Sequence, residues 1–226
     1  MPTLTVLQQN KPKLFGRIIP IGIHLCSQPI IMSKAAQTRN FIIEKTAPVF
    51  NKKGYAGTSL TDITEATGLT KGSIYGNFAN KDEVALAVFD YNLQKIGSII
   101  RAKSAKHKSI KAQLLVYTNV YANLFRFPVT AGGCPILNTA IEADDTHPQL
   151  KEKVKAAVIS WKNKLVKMIE KGIENKEFRK GINAEQTALS FIATLEGGIM
   201  VAGLTGKQGD MKLITQFVEK MIDDLE

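Results

Sequence analysis

The stretch from Thr58 to Phe78 constrains the fold more than any other part of the chain. Its sequence, TSLTDITEATGLTKGSIYGNF, contains two signals for the start of a helix. Thr58 or Ser59 caps the first helix, with Asp62 in a capping-box-like position, and Thr70 caps the second, predicted over 71–77. Gly68 supplies the turn between them. The stretch therefore predicts two short helices joined by a tight turn, a helix-turn-helix.

Polar side chains crowd the start and the exposed face of the second helix. A helix of this kind can place such side chains in a DNA major groove. Its N-terminus offers free backbone N–H groups to a phosphate, Lys71 adds charge, and Gly72 allows close approach. Thr58 and Lys81 begin flanking helices and are predicted to hold phosphates. The predicted DNA-binding residues are Thr58, Thr70, Lys71, Gly72, Ser73, Tyr75, Gly76, Asn77 and Lys81.

Composition is consistent with a globular protein that binds a polyanion. The 226 residues are 44% hydrophobic and carry a net charge of +10. This charge would suit nucleic acid or an anionic membrane surface as partner, but charge alone slightly favours a merely soluble basic protein. The two cysteines, Cys26 and Cys134, match neither a disulfide framework nor a CxxC metal site. No uninterrupted apolar run approaches the roughly 18 residues of a membrane span. We expect a cytoplasmic protein with no membrane partner.

Residues 1–31 differ in composition from the rest of the chain. They contain no acidic residue and four prolines. A signal peptide is one interpretation, but Pro20, His24 and Pro29 interrupt the apolar run and no cleavage site follows. We expect the native start at Met32 and a disordered or non-native extension over 1–31, with a functional segment as the alternative.

The remaining periodicity is helical and predicts an all-α fold. A helix from about Lys34 to Lys53 ends at Gly54, and Asn80 caps a helix from Lys81 to about Ile100 that is apolar on two faces. We interpret this helix as a connector. Further helices are predicted at 109–125, 134–143, 148–175, 183–204 and 209–225. The sequence shows no strand-like alternation.

The segment FNKKGYAGTSLTDITEATGLTKGSIYGNFANKDEVALAV resembles the TetR family of bacterial transcriptional regulators over roughly 34–90. The segment GGCPILNTAIEADDTHP, 132–148, is similar to one in a broad subgroup of these regulators. The resemblance implies a homodimeric repressor with a helix-turn-helix domain over 32–80 that binds a palindromic operator. Residues 81–226 would form a ligand-binding and dimerisation domain, and a small-molecule effector would release the DNA.

An effector site is only weakly indicated. An apolar pocket with hydroxyl groups could be lined by Tyr91, Tyr117, Tyr121, Phe125 and Trp161, although ordinary core is the alternative for each. Cys134 is predicted at a helix N-terminus, a setting that can lower a thiol pKa and would suit a redox or electrophile sensor. A small buried packing residue is the alternative.

Other functions have less support. An E-x-D-D-x-H cluster from Glu142 to His147 could hold a divalent metal, but a solvated helix end is the preferred interpretation. We find no nucleophile elbow, P-loop, G-x-G-x-x-G or HExxH motif, so we expect no enzyme activity, no cofactor and no metal. Sequence-blind DNA compaction is a further alternative.

Overall fold

The computed structural model describes residues 33–126, 130 and 132–226. This part of the chain contains helices but no strand, which confirms the predicted all-α class. The predicted extension over 1–31 lies outside the described residues. The helices are α1 (Lys34–Gly57), α2 (Leu60–Thr67), α3 (Lys71–Tyr75), α4 (Lys81–Ser104), α5 (Ile110–Ala122), α6 (Pro135–Thr146), α7 (Pro148–Glu174), α8 (Ala184–Thr205) and α9 (Gln208–Asp223), with a 3-10 turn at Leu124–Arg126.

The predicted helix caps are present and determine where α2 and α3 begin. The Ser59 N–H donates to Asp62 Oδ2 at 2.8 Å, while the Asp62 N–H donates to Ser59 Oγ at 3.1 Å, a reciprocal capping box. Gly68 has a φ of 68° and ends α2 in the left-handed region. Thr70 Oγ1 accepts from the Ser73 N–H at 3.2 Å and starts α3. The helix-turn-helix therefore follows from local hydrogen bonding.

A small apolar core holds the three N-terminal helices against α4. Ile42, Ile63, Ile74 and Phe78 are at most 2% exposed, and burial of each such side chain contributes roughly 1.5–3 kcal/mol. The Arg39 guanidinium lies 3.9 Å from the Phe78 ring centroid and donates to Glu83 Oε1 at 2.6 Å and to the Asn77 carbonyl at 2.5 Å. The chain after α3 is thereby tied to both α1 and α4.

The C-terminal helices pack around a second set of buried side chains. α8 packs against α7 and α9, and α5 packs against α4, α7 and α9. A side chain at Gly198 would lie 2.8 Å from Ile214, so glycine permits the close approach of α8 and α9. α8 is the one helix of the described part that is long and apolar enough to cross a membrane by length and composition. This helix packs on α7 and α9, and it also carries exposed apolar side chains, among them Leu189 and Leu204.

Gly54 interrupts α1 where the sequence predicts the helix to end. Its φ of 73° and ψ of 178° are accessible in practice only to glycine. An added Cβ would lie 2.5 Å from Glu142 Oε2 on α6. Backbone conformation and close packing therefore both require glycine at this position.

We expect Gly54→Ala to lower the free energy of unfolding by about 1–3 kcal/mol, because the backbone is strained and the Glu142 carboxylate must move. Denaturant unfolding followed by circular dichroism measures this change. Gly209→Ala is the matched control, since Gly209 lies in α9 with no atom within 4 Å of an added Cβ. An equal loss in both variants would contradict the prediction.

Candidate DNA-binding face and effector site

The exposed surface of α3 carries most of the predicted DNA-binding residues. Thr70, Lys71, Gly72 and Gly76 are exposed, and Tyr75 is 42% exposed although it is aromatic. Ser73 is half-buried. Ile74 is fully buried on the opposite side of the helix. The apolar contacts of α3 therefore direct its polar face, with free N–H groups and Lys71 at the start, towards solvent.

Besides Thr70, whose hydroxyl caps α3, three of the predicted DNA-binding residues have side chains with partners inside the protein. Thr58 is 0% exposed and its hydroxyl donates to the Gly54 carbonyl at 2.6 Å, so the prediction of a phosphate contact by this side chain is wrong. The Asn77 amide donates to the Ser73 carbonyl at 2.9 Å. Lys81 Nζ donates to the carbonyls of Tyr55 at 2.9 Å and Thr58 at 3.1 Å. Asn77 and Lys81 therefore fix the local backbone rather than extend freely from the surface.

A carboxylate on α6 caps the chain just before the helix-turn-helix. The Tyr55 and Ala56 N–H groups both donate to Glu142, each at 2.6 Å. The Tyr55 hydroxyl donates to Asp82 on α4, and this hydrogen bond together with burial raises the pKa of Tyr55 to about 12. The His147 ring packs edge-on against Tyr55 with 4.7 Å between centroids. α6 and α4 are thus both joined to the segment after Gly54.

The loop before α6 is packed tightly against the end of α1. A side chain at Gly132 would lie 2.5 Å from the Asn51 carbonyl oxygen. The Asn138 amide donates to the carbonyls of Asn51 at 2.9 Å and Gly132 at 2.8 Å, and the Asn51 amide donates to Gly133 at 3.0 Å. The contact between α1 and α6 is therefore polar and closely fitted.

The described residues contain no group of three potential metal ligands. Glu142 is occupied by the backbone of Tyr55 and Ala56, and His147 is buried, with Nδ1 accepting from the Leu150 N–H at 3.2 Å. The preferred interpretation of a solvated helix end is wrong for these two residues.

Three of the six predicted effector residues come together inside the C-terminal helices. Tyr121 stacks on Trp161 with 5.0 Å between ring centroids, and Tyr121 lies beside Cys134. Tyr117 is buried one turn earlier on α5, against Phe191. Tyr91 is half-buried below the Lys95 ammonium, and Phe125 lines a separate cleft. The structure therefore divides the predicted set among three places: this buried group with Tyr117 beside it, Tyr91, and Phe125.

Glu196, which the sequence analysis did not identify, is the acidic member of this buried group. Cys134 Sγ donates to Glu196 Oε1 at 3.0 Å. Burial raises the pKa of Glu196 to about 7, against a small opposing effect of that hydrogen bond. The available signal was one acidic residue within the apolar run FIATLEGGIMVAGL.

Cys134 is fully buried, as the alternative of a small packing residue expects, and its setting does not lower the thiol pKa. Burial is the largest cause that holds the pKa of Cys134 well above its usual range, and the adjacent Glu196 carboxylate adds to it. Hydrogen bonds from the N–H groups of Leu137 and Ile136 lower the pKa of Cys134, but by less than burial raises it. This setting disfavours a reactive thiolate.

A cleft of about 1040 Å³ opens beside the buried group. Its wall includes apolar side chains from the 3-10 turn after α5, from α6 and from α8, among them Phe125, Leu137 and Ile199. Lys52, Arg126 and Lys212 also line it. A smaller cavity of about 30 Å³ lies between α1, α4 and α6, and is large enough for one or two water molecules.

An exposed recognition helix on a larger helical body defines a helix-turn-helix DNA-binding protein. Residues 42–88 match the family model described as bacterial regulatory proteins, tetR family, and residues 111–218 match a Tetracyclin repressor-like C-terminal domain. The chain belongs to the TetR family of bacterial transcriptional regulators.

Two solved structures and one curated relative illustrate this membership. A TetR-family regulator from Cytophaga hutchinsonii is 48% identical, with 86% of this chain and 98% of that chain covered and a TM-score of 0.79. A TetR regulator from Chloroflexus aurantiacus is 37% identical over 85% of this chain and 97% of that chain, with a TM-score of 0.80. The transcriptional repressor ComR of Escherichia coli is 32% identical over 101 residues, 44% of this chain and 48% of that protein.

We expect Glu196→Gln to raise the free energy of unfolding at about pH 8 by about 1–3 kcal/mol. The pKa of Glu196 is raised to about 7 from an ordinary value of 4.5, so the folded state holds the proton more tightly and loses stability as pH rises through this window. Denaturant unfolding at several pH values measures the effect. Below about pH 4 the two proteins should differ little in this contribution. A variant less stable at high pH would contradict the prediction.

Proposed function

We propose that this TetR-family regulator is a repressor that binds a palindromic operator as a homodimer and is released by a small-molecule effector. The observation that carries the proposal is the exposed polar face of α3 on a buried apolar support. Residues 32–80 supply the DNA contacts and residues 81–226 supply the dimer contacts and the effector site. The repressor acts in the cytoplasm, where the chromosome lies.

The α3 surface is suited to DNA in two ways. Lys71 and the free N–H groups at the start of the helix contact phosphate, which gives affinity without sequence information. Tyr75, with Ser73 and Thr70 beside it, reaches base edges and supplies selectivity. Gly72 and Gly76 are exposed and leave the backbone uncovered, so the helix can lie close to the duplex.

Apolar side chains left exposed on α8 and α9 support dimerisation. Their exposure ranges from 38% at Val201 to 82% at Leu204. Gly197 lies among them, and an added Cβ there would meet no atom within 4 Å. Exposed apolar side chains on two helices that pack together indicate an interface. A two-fold interface gives two recognition helices and hence a palindromic site. The exposed residues are Leu189, Met200, Val201, Leu204, Leu213 and Phe217.

Release follows from the contacts between α6 and the end of α1. Glu142 holds the N–H groups of Tyr55 and Ala56, and Gly132 contacts Asn51. An effector that shifts the start of α6 would therefore pull on the segment that leads into α2. A change in the separation of the two recognition helices of the dimer would then weaken operator binding.

We expect Lys71→Gln to weaken binding to every DNA sequence. In a dimer, the slope of the logarithm of the binding constant against the logarithm of the salt concentration should become shallower by about two, one for each lost phosphate contact. Tyr75→Ala should cost about 1–3 kcal/mol of discrimination between sites. Selection of bound DNA from a random pool, followed by titration at several salt concentrations, measures both. The matched control is Lys180→Gln, which removes an exposed charge far along the chain. Equal, salt-sensitive affinity for every sequence would instead indicate DNA compaction.

We expect Phe217→Glu to convert the dimer to a monomer that retains its helical content, because Phe217 is 58% exposed and packs in the proposed interface. Light scattering coupled to gel filtration measures the mass. Ile159→Glu changes an exposed apolar residue on α7, outside the interface, and should leave a dimer. If both variants stayed dimeric, α8 and α9 would not form the interface.

A further inference from the structure

We propose that the cleft of about 1040 Å³ takes an organic anion with an apolar body, and that this anion is the effector. The inference rests on the proposed function, because it names the effector class of the same regulator. The end of α1, the 3-10 turn after α5, the start of α6, the end of α8 and the start of α9 bound the cleft. Its volume is comparable with the roughly 300–1,000 Å³ of small-molecule sites.

The cleft exposes large apolar side chains to solvent. Ile141 on α6 is 71% exposed, and Met200 and Leu204 on α8 are 46% and 82% exposed. An added Cβ on Gly203 would lie 3.6 Å from the Phe125 ring, so the backbone of α8 also faces the cleft wall. Because apolar surface is more stable out of water, a molecule with an apolar body would gain free energy by covering these groups.

The charged side chains that line the cleft are all cations. Lys52 on α1, Arg126 on the 3-10 turn and Lys212 on α9 contribute to its wall, and no described acidic side chain does. None of the three forms an ion pair with a described carboxylate. Unneutralised cations around one cleft attract an anion and disfavour a cation. All three are exposed, so the charge selects the head group while the apolar body supplies most of the affinity.

Acidic residues that are close to the cleft in sequence have partners elsewhere. Glu142 follows Ile141 on α6, but its carboxylate accepts from the N–H groups of Tyr55 and Ala56. Asp210 lies near the start of α9, and it accepts from the Thr205 hydroxyl at 3.0 Å. The positive charge of the cleft is therefore left for a ligand to neutralise.

The cleft reaches both sides of the contact that joins α6 to the end of α1. Lys52 lies two residues before Gly54, and an added Cβ on Gly132 would lie 2.9 Å from Lys52 Cα. Gly132 and Leu137 line the cleft from the α6 side. An anion that binds Lys52 and packs on Leu137 contacts both elements at once. Its affinity then depends on how α1 and α6 are arranged, which is the condition for an effector to shift DNA binding.

The cleft borders the proposed dimer interface. Met200 and Leu204 belong to both, whereas Phe125, Leu137 and Ile141 belong to the cleft alone. The partner subunit would therefore cover one edge of the cleft and leave the wall on the α6 side to the anion. A second copy that filled the whole cleft would instead exclude the ligand from the dimer.

Octanoate, 1-octanol and octylammonium share one apolar body and differ in the head group. Calorimetry on the full chain near neutral pH measures their affinities. We expect octanoate to bind at least about tenfold more tightly than 1-octanol, and octylammonium to bind most weakly. Saturating octanoate should weaken binding of the selected operator at least about fivefold.

A charge-removal variant tests whether the cleft cations cause the preference. It carries Lys52→Gln, Arg126→Gln and Lys212→Gln, and it should bind octanoate and 1-octanol within about threefold of each other. The matched control loses the same number of exposed charges outside the cleft and should keep the preference of the unmodified chain. Its substitutions are Lys45→Gln, Lys180→Gln and Lys220→Gln.

An octanoate affinity weaker than about 1 mM, tighter binding of octylammonium, or a preference that survives in the charge-removal variant would each overturn the inference. Binding by the Phe217→Glu monomer alone would also overturn it, because the second copy would then occupy the cleft. So would octanoate binding that leaves operator affinity unchanged.

The repressor proposal can fail or stand separately. Selection of a palindromic operator together with any of these contrary results would leave the repressor proposal standing. A preference for octanoate that depends on the three cleft cations, without sequence-selective DNA binding, would keep the anion site and reject the repressor proposal.

Discussion

The position of the helix-turn-helix depends on one carboxylate that satisfies two backbone N–H groups. Gly54 turns the chain out of α1, and the N–H groups that follow would otherwise be unpaired at the start of a new segment. Glu142 accepts from both at 2.6 Å. Because Glu142 belongs to α6, the geometry of the DNA-binding helices is set partly by a helix more than eighty residues later in the chain.

The C-terminal helices combine close packing with polar groups that packing alone would exclude. Gly198 lets α9 approach α8, and Leu195 beside it is fully buried. One residue further along, Glu196 places a carboxyl group where an apolar side chain would be more stable. Burial disfavours the ionised form of this carboxyl group and therefore raises its pKa.

The fold could be predicted in outline because its signals are local. Ser59, Gly68, Thr70 and Asn80 each bond to backbone within four residues, or turn the chain by their own φ, so residue type and spacing suffice. α3 is nevertheless shorter than predicted and ends at Tyr75. The division of function between 32–80 and 81–226 remains a proposal, since α1 packs on both α4 and α6.

The candidate site could be predicted only where exposure follows from helical position. The sequence by itself determined the all-α class, the starts of the helices and the polar face of α3 with Lys71 and Tyr75, because these depend on neighbours in the chain. Only the tertiary structure decided that Thr58 is buried, that Lys81 donates to two carbonyls, and that Cys134 donates to Glu196. Each of these is a contact with another element, and burial and pKa depend on which elements meet in space.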